Sequence, residues 1–229
     1  MLNPARARVL GLDGCPGGWA GALVDGPTIT LRRYHGWDAG LLEALAEDVD
    51  VVAVDIPIGL PRPGETRTCD LAARAHLGVR RSSVFPAPPR ELFGHASHAA
   101  ASAASKALCG KGISVQAWNI YDRIAAVDRI VTPEMQRRLV EVHPEIGFRE
   151  LAGFDLGSKR HKPGRDARQQ KLNEIWPDVT PRLPGAHSDD VLDAIVAAWS
   201  GLRWLSREAV LLPAVPPRDD HGLFMAVAG

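Results

Sequence analysis

The sequence predicts an α/β fold built on one mixed sheet, and three observations carry that expectation. Three short apolar runs joined by tight-turn residues come first; a helical segment then leads to an almost wholly apolar fourth run; and a long amphipathic helix stands near the end. The first run, Val9 to Asp13, passes into a glycine- and proline-rich turn, Gly14-Cys15-Pro16-Gly17-Gly18. Alternation along a strand puts Val9, Gly11 and Asp13 on one face and Leu10 and Leu12 on the other. The second strand is expected over Trp19 to Val24, followed by Asp25-Gly26, a dipeptide that accepts the positive φ of a hairpin turn. The third runs from Thr28 towards Tyr34, completing an antiparallel meander. Asp38 is placed to cap a helix whose apolar residues Leu41, Leu42, Leu45 and Ala46 recur at helical spacing. Val51 to Asp55 then reads as a strand covered on both faces. Strand, helix and strand in this order imply a right-handed crossover and parallel pairing.

The middle of the chain changes character. Thr68 is a candidate cap for a helix over Asp70 to Leu77, ended by Gly78. A proline-rich irregular stretch, Ser82 to Arg90, precedes an alanine- and serine-rich helix expected over Glu91 to Leu108. A further helix is expected from Ser114 to Val131, with Ile120, Ile124, Val127 and Ile130 as its buried stripe. Residues 62–138 therefore read as a helical insertion within a single domain spanning 1–229, since no flexible linker marks their borders. Leu139 to His143 is the expected last core strand, with a helix over Ile146 to Leu151 after it. Phe154 to Arg168 reads as a polar loop, and Gln169 to Ile175 as a short helix. The strongest helical pattern runs from Asp189 through Leu205, capped by Ser188, with Leu192, Ile195, Val196, Trp199, Leu202 and Leu205 on its apolar face. The tail after Leu212 is proline-rich and is expected to wrap the surface.

Composition bounds the function. The 229 residues are 45% hydrophobic and 24% charged, and contain 27 basic and 27 acidic side chains. That is the make-up of a soluble globular protein, and formal neutrality argues against a protein that coats long duplexes. No apolar run reaches the length of a membrane span. The start, Met1 to Arg8, has basic residues without the apolar core of a signal peptide. Cys15, Cys69 and Cys109 have neither disulfide-framework nor zinc spacing, so a reducing cytoplasm is the expected compartment.

The chemistry-bearing residues are carboxylates. Asp13 and Asp55 end strands that the topology makes neighbours, and ligands of open α/β sheets gather at the carboxyl ends of strands. Asp190 and Asp193 lie three apart on one face of the last helix. Each also has a plainer role: Asp13 and Asp55 are ordinary turn formers, while Asp189 and Asp190 suit a first helical turn. Asp193 is harder to explain so, because it interrupts the apolar run Val191 to Val196, where an unpaired charge is costly. Carboxylates converging in a half-buried crevice call for a cation, and an all-oxygen set suits Mg²⁺ or Mn²⁺. Two such ions can together drive hydrolysis of a phosphodiester. Glu145 either follows the last strand or stands in the first turn of the next helix. His143 has no partner at zinc-ligand spacing.

Two segments are locally basic. Ser158 to Lys171 holds six cations against Asp166 alone, and Arg62 to Arg90 holds six against Glu65 and Asp70. Such runs are most often solvated, but beside a metal-binding crevice Arg74, Arg90, Lys159 and Arg165 are candidate phosphate contacts. Ser82, Ser83 and Ser97 have no histidine and aspartate pattern around them, which sets a serine hydrolase aside.

The order of elements resembles the ribonuclease H-like fold, in which acids on the first strand, the fourth strand and the terminal helix bind the catalytic metals. Asp13, Asp55 and the Asp190/Asp193 pair stand at those places. His187-Ser188-Asp189-Asp190-Val191-Leu192-Asp193-Ala194 also looks like the terminal-helix motif of Holliday-junction resolvases. A closer resemblance is to a family of predicted ribonuclease H-like nucleases described as domain of unknown function 429. It is carried by Gly11-Leu12-Asp13-Gly14-Cys15 with Gly18-Trp19, and by Asp55-Ile56-Pro57-Ile58-Gly59-Leu60-Pro61. Cys69-Asp70 with Ala73-Arg74, Ser83-Val84-Phe85 with Pro88 and Arg90, Val142-His143-Pro144-Glu145 with Phe148, Ser158-Lys159, and Asp190 to Ala194 extend it over nearly the whole chain. The helical insertion departs from the better-studied nucleases.

The expected function is a Mg²⁺- or Mn²⁺-dependent nuclease acting on RNA or DNA. Asp13, Asp55, Asp190 and Asp193 are its expected metal ligands, with Glu145 and Asp190 also able to position water. Two other classes stay open. Asp13-Gly14 also looks like the first phosphate loop of actin-like ATPases and sugar kinases, although no second copy of that loop is present; ATP binding would favour this class. A ribonuclease H-like binding module without catalysis would be a folded protein that takes up no divalent metal.

Overall fold

The computed structural model describes residues 7–229; the leader reading for Met1 to Arg6 falls outside the described residues. The chain divides into two compact units. The first comprises Met1–Ile56, Arg137–Leu211 and Val227–Gly229, and the second Pro57–Gln136 and Leu212–Ala226.

The first unit holds a five-stranded mixed sheet: β1 (Arg8–Cys15), β2 (Gly18–Asp25), β3 (Thr28–His35), β4 (Val51–Val54) and β5 (Leu139–Glu141). Their order is β3-β2-β1-β4-β5, with β1 antiparallel to β2, β2 antiparallel to β3, and β4 parallel to both β1 and β5. This is the expected mixed fold, and β4 is buried along its whole length as its Val-Val-Ala-Val sequence requires. The β2–β3 hairpin pairs Asp25 with Thr28, so its turn residues are Gly26-Pro27, one position later than expected. Gly26 takes φ +57°, the conformation a type II′ turn needs at its first central residue. In the β1–β2 hairpin Cys15 pairs with Gly18 around Pro16-Gly17, and Gly17 takes φ +75°. Proline followed by a positive-φ glycine is the composition of a type II turn.

Helices α1 (Asp38–Ala46), α5 (Pro144–Ala152), α6 (Lys162–Asn173) and α7 (Ser188–Ser206) belong to the same unit. Asp38 and Ser188 are the first residues of their helices; the capping positions fall on Trp37 and His187. The strand at Leu139 stops at Glu141, because Pro144 opens α5 and His143 is its cap. The largest departure is α6, which begins at Lys162 inside the expected polar loop. Pro163 and Gly164 hid it: proline suits a first helical turn, and Gly164 is there because Ser158 lies against it. A Cβ at position 164 would stand 2.2 Å from the Ser158 carbonyl oxygen.

The second unit carries α2 (Thr68–Leu77), α3 (His98–Cys109) and α4 (Val115–Asp128), with 3₁₀ turns at Gly78–Ser83 and Arg90–Leu92. Arg67, not Thr68, is the cap residue of α2. Gly94 at φ +77° breaks the expected long alanine-rich helix, which starts only after Ser97 caps it. The buried stripe of α4 is Ala117, Tyr121, Ile124 and Val127, while Ile120 and Ile130 are half-buried. This unit is pinned by buried ion pairs. Arg67 holds Asp70 at 2.6 Å and also donates to the carbonyls of Ile58 and Gly59, while Asp70 accepts from the Ala87 amide. The tail joins it through Asp219, whose carboxylate accepts from the Leu60 and Leu223 amides and from Arg90.

Candidate functional site

The candidate site lies in the first unit, at the carboxyl ends of β1 and β4. Leu12 pairs with Val54 in parallel register, and the Asp55 amide donates to the Leu12 carbonyl at 3.0 Å. The next residues along the two strands, Asp13 and Asp55, are therefore neighbours on one face of the sheet. Helix α7 packs on that face with very close backbone approach. A Cβ at Gly11 would stand 2.1 Å from the Ala194 carbonyl oxygen and 2.2 Å from the Ala198 nitrogen. One at Gly201 would meet Val9 and Ala53. Helix numbering thus rises as strand numbering falls, so α7 runs antiparallel to β1 and brings Asp193, one residue before Ala194, towards Asp13.

Electrostatics report the convergence. Asp13 is 9% exposed and Asp193 3%. Burial, then Asp193 and Asp55, push the Asp13 carboxyl well above the usual carboxylate range, with Lys159 opposing them. Burial pushes Asp193 up to about 6, against the attraction of Lys159 and with Asp55 and Glu145 adding to it. The Lys159 ammonium pairs directly with Asp193 Oδ2. Burial disfavours its charge, yet Asp193, Asp13 and Asp55 together hold it above the ordinary lysine range. Three acids thus share one resident cation.

That cation is held in place by α6. Arg165 donates to the carbonyls of Lys159 and Arg160 at 3.1 and 3.2 Å. Arg168, 1% exposed, donates to the carbonyls of Gly164 (2.8 Å) and Gly157 (3.1 Å) and to Glu145 Oε2 (2.7 Å). Its guanidinium also lies 5.2 Å from the centre of the Phe148 ring. Glu145 is in the first turn of α5, where its charge suits the helix dipole, and is ion-paired with Arg168. Arg168 is the residue that sequence reasoning passed over, as one charge in a basic run. Gly164, Arg168 and Leu172 are buried at four-residue steps along α6, so the readable signal was an arginine on an apolar helix face.

The remaining candidates have other settings. The Asp190 carboxylate accepts from the His187 amide at 2.9 Å, bracing the start of α7, and still lies near enough to Asp13 to raise its pKa. Asp189 stands in the same first turn. Arg74 belongs to the second unit, where it donates to the Val84 carbonyl at 3.0 and 2.8 Å. Arg90 is also there, forked onto Asp128 at 2.7 Å through both nitrogens and onto Asp219. Both guanidiniums tie backbone and acids together within that unit.

The donor set at the strand ends is all oxygen and carries excess negative charge, which suits Mg²⁺ or Mn²⁺. Among the described residues, however, no group of three or more acids, histidines or cysteines is gathered as a metal cage. The fit is therefore to the Asp13 and Asp55 pair, with Asp193 already engaged by Lys159.

Two glycines of the first turn, Gly17 and Gly18, are accounted for without a ligand. Gly17 supplies the turn conformation, and a Cβ on Gly18 would stand 2.0 Å from the Tyr34 carbonyl oxygen across the sheet. Among the described residues no helix is long and apolar enough to cross a membrane.

Neither the curated proteins nor the solved structures contain a match to this chain. A family model does match: it spans residues 11–218, from the glycine under α7 to the end of the tail's proline-rich stretch. The strand-end acids, the loop and helix that carry Lys159 and Arg168, and the acid-bearing last helix all fall within that span, and the chain belongs to the family described as Protein of unknown function (DUF429).

Proposed function

We propose that the protein is a divalent-metal-dependent phosphodiesterase that cleaves nucleic acid. The observation that carries this reading is the convergence of the buried Asp13 and Asp193 with the half-buried Asp55, with a single lysine to offset them. A protein gains no stability from such a cluster, since burying like charges raises the free energy of the folded state. Uncompensated charge of this kind is a common mark of a site built for something absent from the bare chain.

Asp13 and Asp55 would hold Mg²⁺ or Mn²⁺. When bound, such an ion supplies Lewis-acid stabilisation of charge on a phosphate. The chain's own residues do the rest. β1 and β4 hold the two carboxylates on adjacent strands, so the substrate meets a preorganised pair. Lys159 has N–H groups beyond the one on Asp193, and its side chain is 38% exposed, enough to reach a non-bridging phosphate oxygen. Arg165 and Arg168 keep the lysine's loop from relaxing. The three cysteines form no disulfide and Cys15 and Cys69 are buried, which suits a reducing compartment such as the cytoplasm.

The test is cleavage of labelled RNA, DNA and branched substrates with Mg²⁺ or Mn²⁺. Asp13→Asn and Asp55→Asn should each lower the rate at least 100-fold, roughly the effect of removing one strong electrostatic contact to the transition state. Cleavage that persists unchanged in both variants would sink the proposal.

A further inference from the structure

We propose that Lys159 occupies the place of a second cation, so that this site takes one divalent ion on Asp13 and Asp55 and Asp193 is not a metal ligand. The inference rests on the metal-dependent reading above and narrows it. Three observations lead to it.

The first is position. The ammonium sits directly on Asp193 Oδ2, and that aspartate's side chain is only 4% exposed, so the oxygen it occupies is closed to an ion from solvent. The second is support. Lys159 is not a long side chain that happens to fall on an acid. Its carbonyl is held by Arg165, and the loop around it is held at Gly157 by Arg168, itself buried and paired with Glu145. Gly164 exists in the helix because the loop's Ser158 carbonyl fills the space of a side chain. Detaching the lysine would mean reorganising an arginine-braced loop.

The third is charge. When ionised, Asp13, Asp55, Asp193 and the nearby Asp190 carry four negative charges, and Glu145 is already neutralised by Arg168. With Lys159 present the cluster is left with three negative charges, two of which one divalent ion balances. Two divalent ions beside the ammonium would leave a net positive cluster, and a cation within a few ångströms of an ammonium in a half-buried site is strongly repelled. Lysine also suits the post chemically. Its ammonium is a compact point charge, closer to a metal ion than the planar fork of arginine would be.

The experiment is Mn²⁺ binding measured by calorimetry and by electron paramagnetic resonance on the full chain, with thermal melts as a control for folding. The wild-type protein should take up one ion per chain. Asp13→Asn should weaken uptake at least tenfold, while Asp193→Asn should leave it within about threefold. Lys159→Met frees Asp193 and should add a second ion or tighten the first by tenfold or more. Two ions in the wild type, one of them lost in Asp193→Asn, would make Asp193 a ligand and overturn this inference while leaving metal dependence intact. No Mn²⁺ uptake by either the wild type or Lys159→Met would overturn metal dependence itself, and this inference with it.

Discussion

Asp193 shows what a single residue contributes here. It stands in an apolar helical run, and its carboxyl is raised to about 6 chiefly by burial. A carboxyl raised on folding binds its proton more tightly in the folded chain than in the unfolded one. Its effect on stability is thus neutral at low pH and becomes a penalty as pH rises through the folded pKa. For the metal-free protein the penalty should grow between about pH 4 and pH 7 and reach about 3 kcal/mol, from the free energy per unit of pKa. Denaturant titrations of wild type and Asp193→Asn across that range should therefore diverge, the variant gaining relative stability as pH rises. Parallel curves would show that Asp193 ionises freely. Arg168 gives the opposite case, a buried charge with its counter-ion in place. Arg168→Met removes the ion-pair partner of buried Glu145 and should cost about 3–5 kcal/mol in chemical denaturation, as breaking buried pairs does.

At the level of elements, the site depends on how closely α7 lies on β1. At Gly11 no side chain separates the strand from the backbone of α7 at Ala194 and Ala198. Gly11→Val would force them apart and should cost about 3 kcal/mol or more, seen as a fall in melting temperature or in soluble yield. Gly17→Ala tests a different property: it strains only a turn, for about 1–2 kcal/mol, and should leave Mn²⁺ binding unchanged. That Gly11 shares a face of β1 with Val9 and Asp13 was legible from alternation. That the last helix packs there was not legible, because the Gly11–Ala194 contact joins residues 183 positions apart. Helix α6 was missed for a related reason. Pro163-Gly164 reads locally as a loop, and only the Ser158 carbonyl packed against Gly164 explains why a helix tolerates it.

Across the whole molecule, the cations that look free in the sequence are held by other parts of the protein. Of the four basic residues expected at phosphate, Arg74 and Arg90 are bound within the second unit, Arg165 braces a loop, and Lys159 lies in the acid cluster. Asp219 illustrates the cost of removing one such partner. Burial works against its charge, but Arg90 and the Leu60 and Leu223 amides outweigh it and hold its carboxyl below the usual range. A carboxyl lowered on folding contributes stability above about pH 4 and loses it on acidification, the reverse of Asp193. Asp219→Ala should speed amide hydrogen exchange across residues 217–225, since it deletes the acceptor that holds this stretch to Arg90 and Leu60. Exchange unchanged from wild type would mean other contacts suffice.

The order of strands, the parallel step from β1 to β4 and the two strand-end acids were set by local pattern: alternation, turn residues and an apolar run long enough for one buried strand. Those are properties of neighbouring residues, and a linear reading reaches them. Which charges meet was decided only by the fold. Lys159 and Asp193 are 34 residues apart, and Arg168 and Glu145 are 23 apart. Nothing local distinguishes Lys159 from the other cations of its run. Burial does, because an ion pair in the interior has to be complete, and the packing of α6 and α7 determines which partner completes it.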